Sequence, residues 1–168
     1  MSKRLKSIYE MEFEEIYTKF SAKIFRVCLG FVNDHERAKD LTQETFISVW
    51  ENLNSFKNQS DIGTWIYRIA TNKCLRQIEN DKKAVLTELP IELKAAEKDD
   101  SKETKHQLLQ RFIAELNEID RIIISLSLED LPQEQIAEIV GLSHSNIRVK
   151  IHRIKTHLTK KFKDYGQF

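Results

Sequence analysis

A run of basic residues near the C-terminus is the feature of this chain with the clearest chemistry. Between Arg148 and Lys163 the sequence holds seven lysines and arginines and no acidic residue, although the 168-residue chain has a net charge of only +1. A solvated helix face, which normally carries both signs, is the alternative interpretation. An unopposed cluster of cations in one segment instead indicates binding to a polyanion such as DNA.

A helix-turn-helix pattern lies directly before and within this run, at residues 133–147. Ala137 stands where two helices would cross closely and where a larger side chain would clash. Gly141, four residues later, permits the positive φ that turns the chain sharply between helices. Ser143 is predicted to cap the second helix of the motif.

The spacing of aliphatic residues predicts which face of that second helix meets DNA. Four positions at helical spacing face inward: Ile147, Ile151, Ile154 and Leu158. The opposite face then carries Ser145, Arg148, Val149, His152, Arg153 and Thr156. The N-terminal half of such a helix enters the major groove, so these side chains are the predicted contacts to base edges.

Each side chain of this face suggests a role. Arg148 and Arg153 can each donate two hydrogen bonds to a guanine, and Val149 can contact a thymine methyl group. Lys150 and Lys155 flank the face and suit phosphates, which position a protein without specifying sequence. The remaining lysines are expected to add salt-dependent affinity only: Lys160, Lys161 and Lys163.

Catalytic and metal-binding patterns are not found in the sequence. There is no glycine-rich phosphate loop and no Ser/His/Asp arrangement, and the five histidines, including His152, are scattered. Cys28 and Cys74 each fall in an apolar helical pattern and are predicted to be buried reduced thiols, with a disulfide or metal site as the less favoured alternative. We therefore expect no enzyme activity, no cofactor and no metal.

The elements that would position these residues are helical. Only 4 glycines and 2 prolines interrupt the chain, which argues against a β-sandwich or barrel. Apolar stripes predict three N-terminal helices at about 10–32, 35–53 and 62–81, the first with Phe13, Ile16, Tyr17 and Phe20 on its inward face. Four more helices are predicted after residue 105. The fold class is all-α: two small helical domains.

The segment between the two helical groups has the composition of a linker. It contains Pro90, which cannot continue a helix, and a charged stretch at 97–103 without an apolar residue. We expect domains at 1–83 and 106–168, joined by a flexible acidic linker at 84–105. No stretch approaches the ~18 apolar residues needed to cross a bilayer, so no membrane insertion and a cytoplasmic location are expected.

Three motifs together resemble bacterial RNA polymerase sigma factors. Residues 129–138 with the helix-turn-helix look like the C-terminal domain of that family. Residues 40–50 (DLTQETFISVW) resemble its region 2.2, and residues 64–72 (TWIYRIATN) are similar to regions 2.3–2.4. The order and separation of these motifs on a short chain resemble the extracytoplasmic-function (ECF) group, which keeps only the second and fourth sigma domains.

The resemblance implies a transcription initiation factor that recognises and helps to melt promoters. Its region 2.2 positions, Asp40, Gln43 and Glu44, match those that bind the clamp helices of the polymerase β′ subunit, and the C-terminal domain would meet the β flap. The exposed face of the second helix of the helix-turn-helix, described above, would recognise the −35 element. The −10 element would be contacted by Lys57, Asn58, Gln59, Ser60, Asp61, Arg68 and Asn72, the first five in a loop that captures a flipped base.

The resemblance is not complete, and it suggests further partners. Ile62-Gly63 stands where the family often has an aromatic followed by a basic residue, and Val149-Lys150 also departs from the common pattern. Trp65 and Tyr67 match the −10 surface as well, but the helical phase of Trp65 favours a place in the core. An anti-sigma factor is expected as a partner. The alternative is a DNA-binding regulator whose N-terminal bundle binds a ligand or dimerises.

Overall fold

The structure, a computed structural model, describes residues 3–56, 60–87 and 104–165. Three helices form an N-terminal module: α1 (Lys3–Val32), α2 (His35–Asn52) and α3 (Ile62–Thr87), with a short 3₁₀ helix at Leu53–Ser55 between the last two. Four helices form a C-terminal module: α4 (Lys105–Ala114), α5 (Glu118–Leu128), α6 (Gln133–Val140) and α7 (His144–Asp164). The all-α prediction is confirmed.

Local capping chemistry explains where the N-terminal helices begin. Asn33 takes a left-handed φ of 50° after α1, and the Asp34 carboxylate accepts a hydrogen bond of 2.9 Å from the backbone N–H of Arg37. The Asp61 carboxylate accepts one of 2.8 Å from the N–H of Gly63 at the start of α3. Aspartate is among the preferred N-cap residues because it satisfies donors that have no partner within the helix.

Two helices extend further than the sequence predicts. α1 begins at Lys3 rather than near residue 10, and α3 continues to Thr87, past the predicted domain boundary at 83. Lysine and alanine, which follow the predicted end at 82–84, are good helix formers, so α3 does not end there. Pro90 still lies beyond its end, as its missing N–H requires. Most of the predicted linker, residues 88–103, lies outside the described residues.

The helix-turn-helix has the predicted geometry. Gly141 adopts a φ of +74° at the end of α6, and its neighbour Leu142 donates a hydrogen bond of 3.1 Å to the carbonyl of Ala137. The Ser143 hydroxyl caps α7 by accepting from the N–H of Asn146 at 3.3 Å. All four aliphatic residues predicted to face inward from α7 are buried. The turn and the inward face of α7 are therefore confirmed.

The two modules pack against each other, a relationship that the sequence does not predict. Helix α1 contacts α4 and α5, and α3 contacts α6. The Arg26 guanidinium donates two hydrogen bonds of 2.6 Å to the Glu129 carboxylate, and Arg121 donates one of 2.9 Å to the carbonyl of Phe31. Gln135 donates a hydrogen bond of 2.8 Å to the Thr64 hydroxyl.

None of the helices in the described ranges is long and apolar enough to span a membrane.

Candidate nucleic-acid interface

Helix α7 presents the predicted recognition residues on its exposed face. Ser145, Arg148, Val149, His152, Arg153 and Lys155 are all exposed, as is Thr156. The aliphatic residues beneath them bury one side of α7 against the other C-terminal helices, so the face has a fixed orientation. A groove of about 510 Å³ runs beside Arg148, Val149 and Arg153 and is bordered by Gln133 of α6.

Ion pairs divide the seven cations of α7 into two groups. Lys150 donates a hydrogen bond of 2.8 Å to Asp120, and Lys161 pairs with Glu115. The other five make no ion pair with any residue in the described ranges: Arg148, Arg153, Lys155, Lys160 and Lys163. Lys150 was predicted to contact phosphate, and in the structure its ammonium is turned toward α5 instead of standing clear on the open face.

The predicted −10 surface surrounds a cavity of about 650 Å³ at the start of α3. The rings of Phe56 and Trp65 pack with centroids 5.0 Å apart at its wall, and Ser60 and Arg68 line it. Trp65 is half-buried, so its ring is neither fully enclosed in the core nor fully exposed as a surface on which a base could stack. Lys57, Asn58 and Gln59 lie outside the described residues. Asp61 is exposed and its carboxylate caps α3.

Two polar side chains of α3 differ in their surroundings. Asn72 is exposed. Arg68 is half-buried because its guanidinium donates a hydrogen bond of 2.9 Å to the carbonyl of Glu138 and lies 3.4 Å from the carboxylate of the same residue. The C-terminal module therefore covers part of the predicted −10 surface and occupies its arginine.

Tyr67 is buried, at 2% exposure, rather than displayed on the −10 surface. Its ring packs edge-on against Phe20, with centroids 6.3 Å apart, and its hydroxyl has no partner among the described residues. Burial raises the pKa of Tyr67 to about 12, the charge of Glu129 adds to the rise, and that of Arg26 opposes it. The hydrogen bond to Glu129 in turn raises the pKa of Arg26.

The predicted polymerase-binding residues share one exposed face of α2. Asp40, Gln43 and Glu44 are all exposed, and the Glu44 carboxylate lies 3.7 Å from the ammonium of Lys73. One turn further along α2, Ile47 is 57% exposed and Trp50 is 41% exposed. The polar strip is therefore continuous with an apolar one.

Part of this apolar surface was missed by the sequence reasoning. Tyr17 was predicted to face inward, but it is 47% exposed and its ring lies against Phe46 with centroids 4.8 Å apart. Phe13 packs edge-on against Trp50, with centroids 5.0 Å apart. The exposed aromatic side chains extend the α2 strip onto α1. The signal in the sequence that could have indicated this apolar surface was Trp50, which lies outside the row of buried residues on α2.

Metal-ligating side chains do not gather anywhere in the described ranges: no three histidine, cysteine, aspartate or glutamate residues there could hold an ion.

Comparison with protein families matches both modules. The description "Sigma-70 region 2" fits residues 16–84, and "Sigma-70, region 4" fits residues 106–158. The RNA polymerase sigma factor YlaC of Bacillus subtilis is 28% identical over 155 residues, which cover 88% of this chain and 90% of that protein. The ECF RNA polymerase sigma factor SigW of the same organism is 24% identical, over 98% of this chain and 97% of its own.

Solved structures share the fold. The sigma factor RpoE from Bartonella quintana, in complex with the anti-sigma factor NepR, superposes with a TM-score of 0.77 at 21% identity, over 90% of this chain and 97% of that one. CnrH, in complex with the cytosolic domain of CnrY, has a TM-score of 0.69 at 19% identity, over 94% and 91%. With two sigma-70 regions in order along it, this chain belongs to the sigma-70 family of RNA polymerase sigma factors, the transcription initiation factors that direct the polymerase to promoters.

Proposed function

We propose that the chain directs RNA polymerase to promoters through three separate surfaces. The exposed face of α7 contacts the −35 element, the start of α3 with its preceding loop contacts the −10 element, and the strip of α2 binds the polymerase core. The observation that carries this proposal is the exposed face of α7, whose cations stand unopposed over a buried aliphatic side. The chain acts as a non-catalytic regulator of the polymerase.

At the −35 element, Arg148 and Arg153 donate hydrogen bonds to base edges in the major groove. A guanidinium matches the two acceptors of guanine and discriminates against other bases. Val149, whose side chain is 48% exposed, adds apolar contact with a thymine methyl. Lys155 contacts phosphate, and Lys160 and Lys163 add affinity that falls with salt. Lys150, held by Asp120, orients α7 against α5 and reaches phosphate only if that pair opens.

At the −10 element, the cavity between Phe56, Trp65 and Arg68 supplies what an extruded base needs. Unstacking a base costs a few kcal/mol, which stacking on aromatic rings and hydrogen bonds to the base edge must offset. The half-buried Trp65 offers the stacking surface. Arg68 and Asn72 offer donors to bases or phosphates of the separated strand.

For polymerase binding, Asp40, Gln43 and Glu44 form the polar half of the contact and Ile47 with Trp50 the apolar half. Carboxylates pair with basic side chains of the β′ clamp helices. Exposed aromatic and aliphatic residues supply the desolvated centre that dominates binding energy at most interfaces. The C-terminal module would meet the β flap.

Promoter binding requires the modules to separate, because the contact between α6 and α3 covers Arg68. Both solved relatives are described in complexes with an anti-sigma protein or a cytosolic partner domain. We extend that mode of control to this chain and expect an anti-sigma factor that stabilises a closed arrangement. Because RNA polymerase and promoter DNA are in the cytoplasm, we expect the protein to act there.

Run-off transcription with core polymerase on a randomised promoter library tests the proposal. The unchanged chain should enrich a −35 and a −10 sequence at a fixed spacing. Arg148→Ala and Arg153→Ala should each relax the selected −35 bases and weaken binding by about 1–3 kcal/mol. Lys160→Ala, the matched control, should weaken binding to all sequences alike and lower its salt dependence. Unaltered initiation by both arginine variants, or failure of the chain to comigrate with core polymerase, would overturn the proposal.

A further inference from the structure

Two buried thiols meet inside the N-terminal module. Cys28 of α1 and Cys74 of α3 are buried, and their Sγ atoms lie 3.8 Å apart. They are 46 positions apart and are the only cysteines of the chain. The prediction of buried, reduced thiols is confirmed, but the sequence did not indicate that the packing of α1 against α3 brings them into contact.

We propose that Cys28 and Cys74 form a reversible disulfide site that a small peroxide oxidises. A disulfide requires sulfur atoms about 2.05 Å apart, so the two must approach by roughly 1.8 Å. Rotation about one side-chain bond or a small shift of a helix covers that distance. Because both thiols are buried, the oxidant has to be small and uncharged, which hydrogen peroxide is.

The contact between the thiols is not symmetric, and this favours one order of reaction. The Cys74 thiol donates the hydrogen bond to the Cys28 sulfur. That bond lowers the pKa of Cys28, burial opposes the shift, and the nearby Thr42 hydroxyl supports it. Donating the bond, together with burial, raises the pKa of Cys74 well above its usual range. The thiolate is the reactive form of cysteine, so Cys28 attacks and Cys74 resolves.

Two steps balance the chemistry. The Cys28 thiolate attacks one oxygen of hydrogen peroxide, the O–O bond breaks, and the departing hydroxide takes up the proton that Cys28 released, which gives water and a sulfenic acid on Cys28. The Cys74 sulfur then attacks the Cys28 sulfur, the S–O bond breaks, and hydroxide leaves with the Cys74 proton as a second water. Both sulfurs are oxidised by one electron each, and one peroxide is reduced. A thiol reductant reverses the reaction by exchange.

The disulfide would join α1 to α3 close to two regions at once: the part of α1 that contacts the C-terminal module, and the proposed −10 surface on α3. Cys28 lies between Arg26 and Gly30, the part of α1 that meets the C-terminal module, and Cys74 lies two residues after Asn72 on the −10 surface. The disulfide also closes a long loop of the unfolded chain, which stabilises the folded module. An oxidised chain should therefore unfold at a higher temperature than a reduced one.

Intact mass after alkylation tests the proposal on the full chain. The chain is treated with hydrogen peroxide, denatured and alkylated with N-ethylmaleimide. The number of alkylated cysteines should fall from two to none, and the chain should lose the mass of two hydrogens. The unfolding temperature of the oxidised chain should be higher. Dithiothreitol should restore both. Two alkylated cysteines after peroxide, or covalent dimers of dilute protein on a non-reducing gel, would overturn the site.

Single variants test the order of attack. Cys74→Ser keeps a hydroxyl donor beside Cys28 but removes the resolving sulfur, so a dimedone-reactive sulfenic acid should accumulate. Cys28→Ser should react several-fold more slowly, and equal rates would contradict the assignment of Cys28 as the attacking thiol.

Two threonines of α2 provide a matched pair of variants. Thr42 and Thr45 are both buried, and each hydroxyl donates a hydrogen bond of 2.7 Å to the carbonyl four residues earlier. Of the two hydroxyls, only that of Thr42 contributes to the lowered pKa of Cys28. Thr42→Val should slow disulfide formation several-fold, whereas Thr45→Val should leave its rate unchanged. Equal slowing by both variants would show a general effect of loosening the bundle and would contradict this role of Thr42.

Discussion

Arg26 and Glu129 form a bidentate ion pair that joins the two modules, with both N–H···O distances at 2.6 Å. The arginine lies on α1 and the glutamate directly follows α5. The Glu129 side chain is only 8% exposed, although that of Arg26 is 53% exposed. A carboxylate this far removed from water depends on its partner, because a charge left unpaired in such a place is costly.

Removing Arg26 should therefore favour separation of the modules. We expect Arg26→Ala to weaken their contact by about 1–3 kcal/mol, because it leaves Glu129 poorly solvated and unpaired. Small-angle scattering of the free chain should show a larger radius of gyration. Arg37→Ala is the control, since Arg37 pairs with Asp81 inside the N-terminal module. An equal expansion in both variants would mean that the ion pair does not hold the modules together.

Glu138 offers a second way to separate the modules, this time at the proposed −10 surface. Glu138→Lys places a like charge beside Arg68 and should cost the closed arrangement about 1 kcal/mol, roughly a fivefold shift toward the open one. Binding of single-stranded −10 DNA by the free chain should tighten accordingly.

A matched variant separates opening from added positive charge. Glu134→Lys makes the same change on α6, but Glu134 lies beside His144 within the C-terminal module. It should strengthen DNA binding only through general electrostatics, with no preference for the −10 sequence. If both variants tightened binding equally, the contact between Glu138 and Arg68 would have no gating effect.

Local patterns predicted each module well because their causes are local. The three N-terminal helices, the turn at Gly141 and the aliphatic side of α7 follow from helical spacing, a positive φ and capping, all of which act within a few residues. Tyr17 was wrongly predicted to be buried. The apolar face of α1 is wider than the surface of the helices that pack against it, so residues at the edge of that face stay exposed. The spacing of apolar residues in the sequence does not show how far the packed surface extends.

Contacts between distant segments could not be predicted in the same way. Three contacts join residues far apart in sequence: Arg26 with Glu129, Arg68 with Glu138, and Cys28 with Cys74. In the sequence, each of these residues cannot be distinguished from an ordinary surface or core residue that makes no such contact. The resemblance to sigma factors predicted candidate functional positions, including Arg68 and Asn72. It did not show that Arg68 is covered by α6.

Tyr67 should make stability depend on alkaline pH. The folded-state pKa of about 12 lies above the ordinary tyrosine pKa of 10.0, so the unfolded chain loses the phenol proton first. The stability that comes from keeping the phenol neutral is complete below pH 10 and is lost as pH rises toward 12. The loss should be on the order of 2–3 kcal/mol. Urea unfolding across this range measures it.

Tyr67→Phe is the control for that dependence. It should remove the alkaline loss and leave stability at neutral pH unchanged or slightly higher, because the hydroxyl it deletes is buried and no described residue bonds to it. An alkaline loss of the same size in the phenylalanine variant would assign it to other groups.

Gly30 and Ser125 define how closely α1 and α5 approach. A Cβ built on Gly30 would lie 2.5 Å from the Ser125 hydroxyl oxygen and 3.3 Å from its Cβ. Gly30→Ala should strengthen α1 itself by about 1 kcal/mol, since alanine is the better helix former. It should nevertheless weaken the contact between the modules, by about 1–3 kcal/mol, because the added methyl overpacks the interface.

Ser125→Ala distinguishes this clash from other effects. The Ser125 hydroxyl has no partner in the described ranges, so its removal alone should be nearly neutral. In the double variant it should restore most of the closed arrangement, because only the 3.3 Å approach to Cβ remains. Scattering and urea unfolding of all four chains give the coupling free energy. If Gly30→Ala expanded the chain by the same amount whether residue 125 is serine or alanine, the close approach of Gly30 to Ser125 would not control the docking of the two modules.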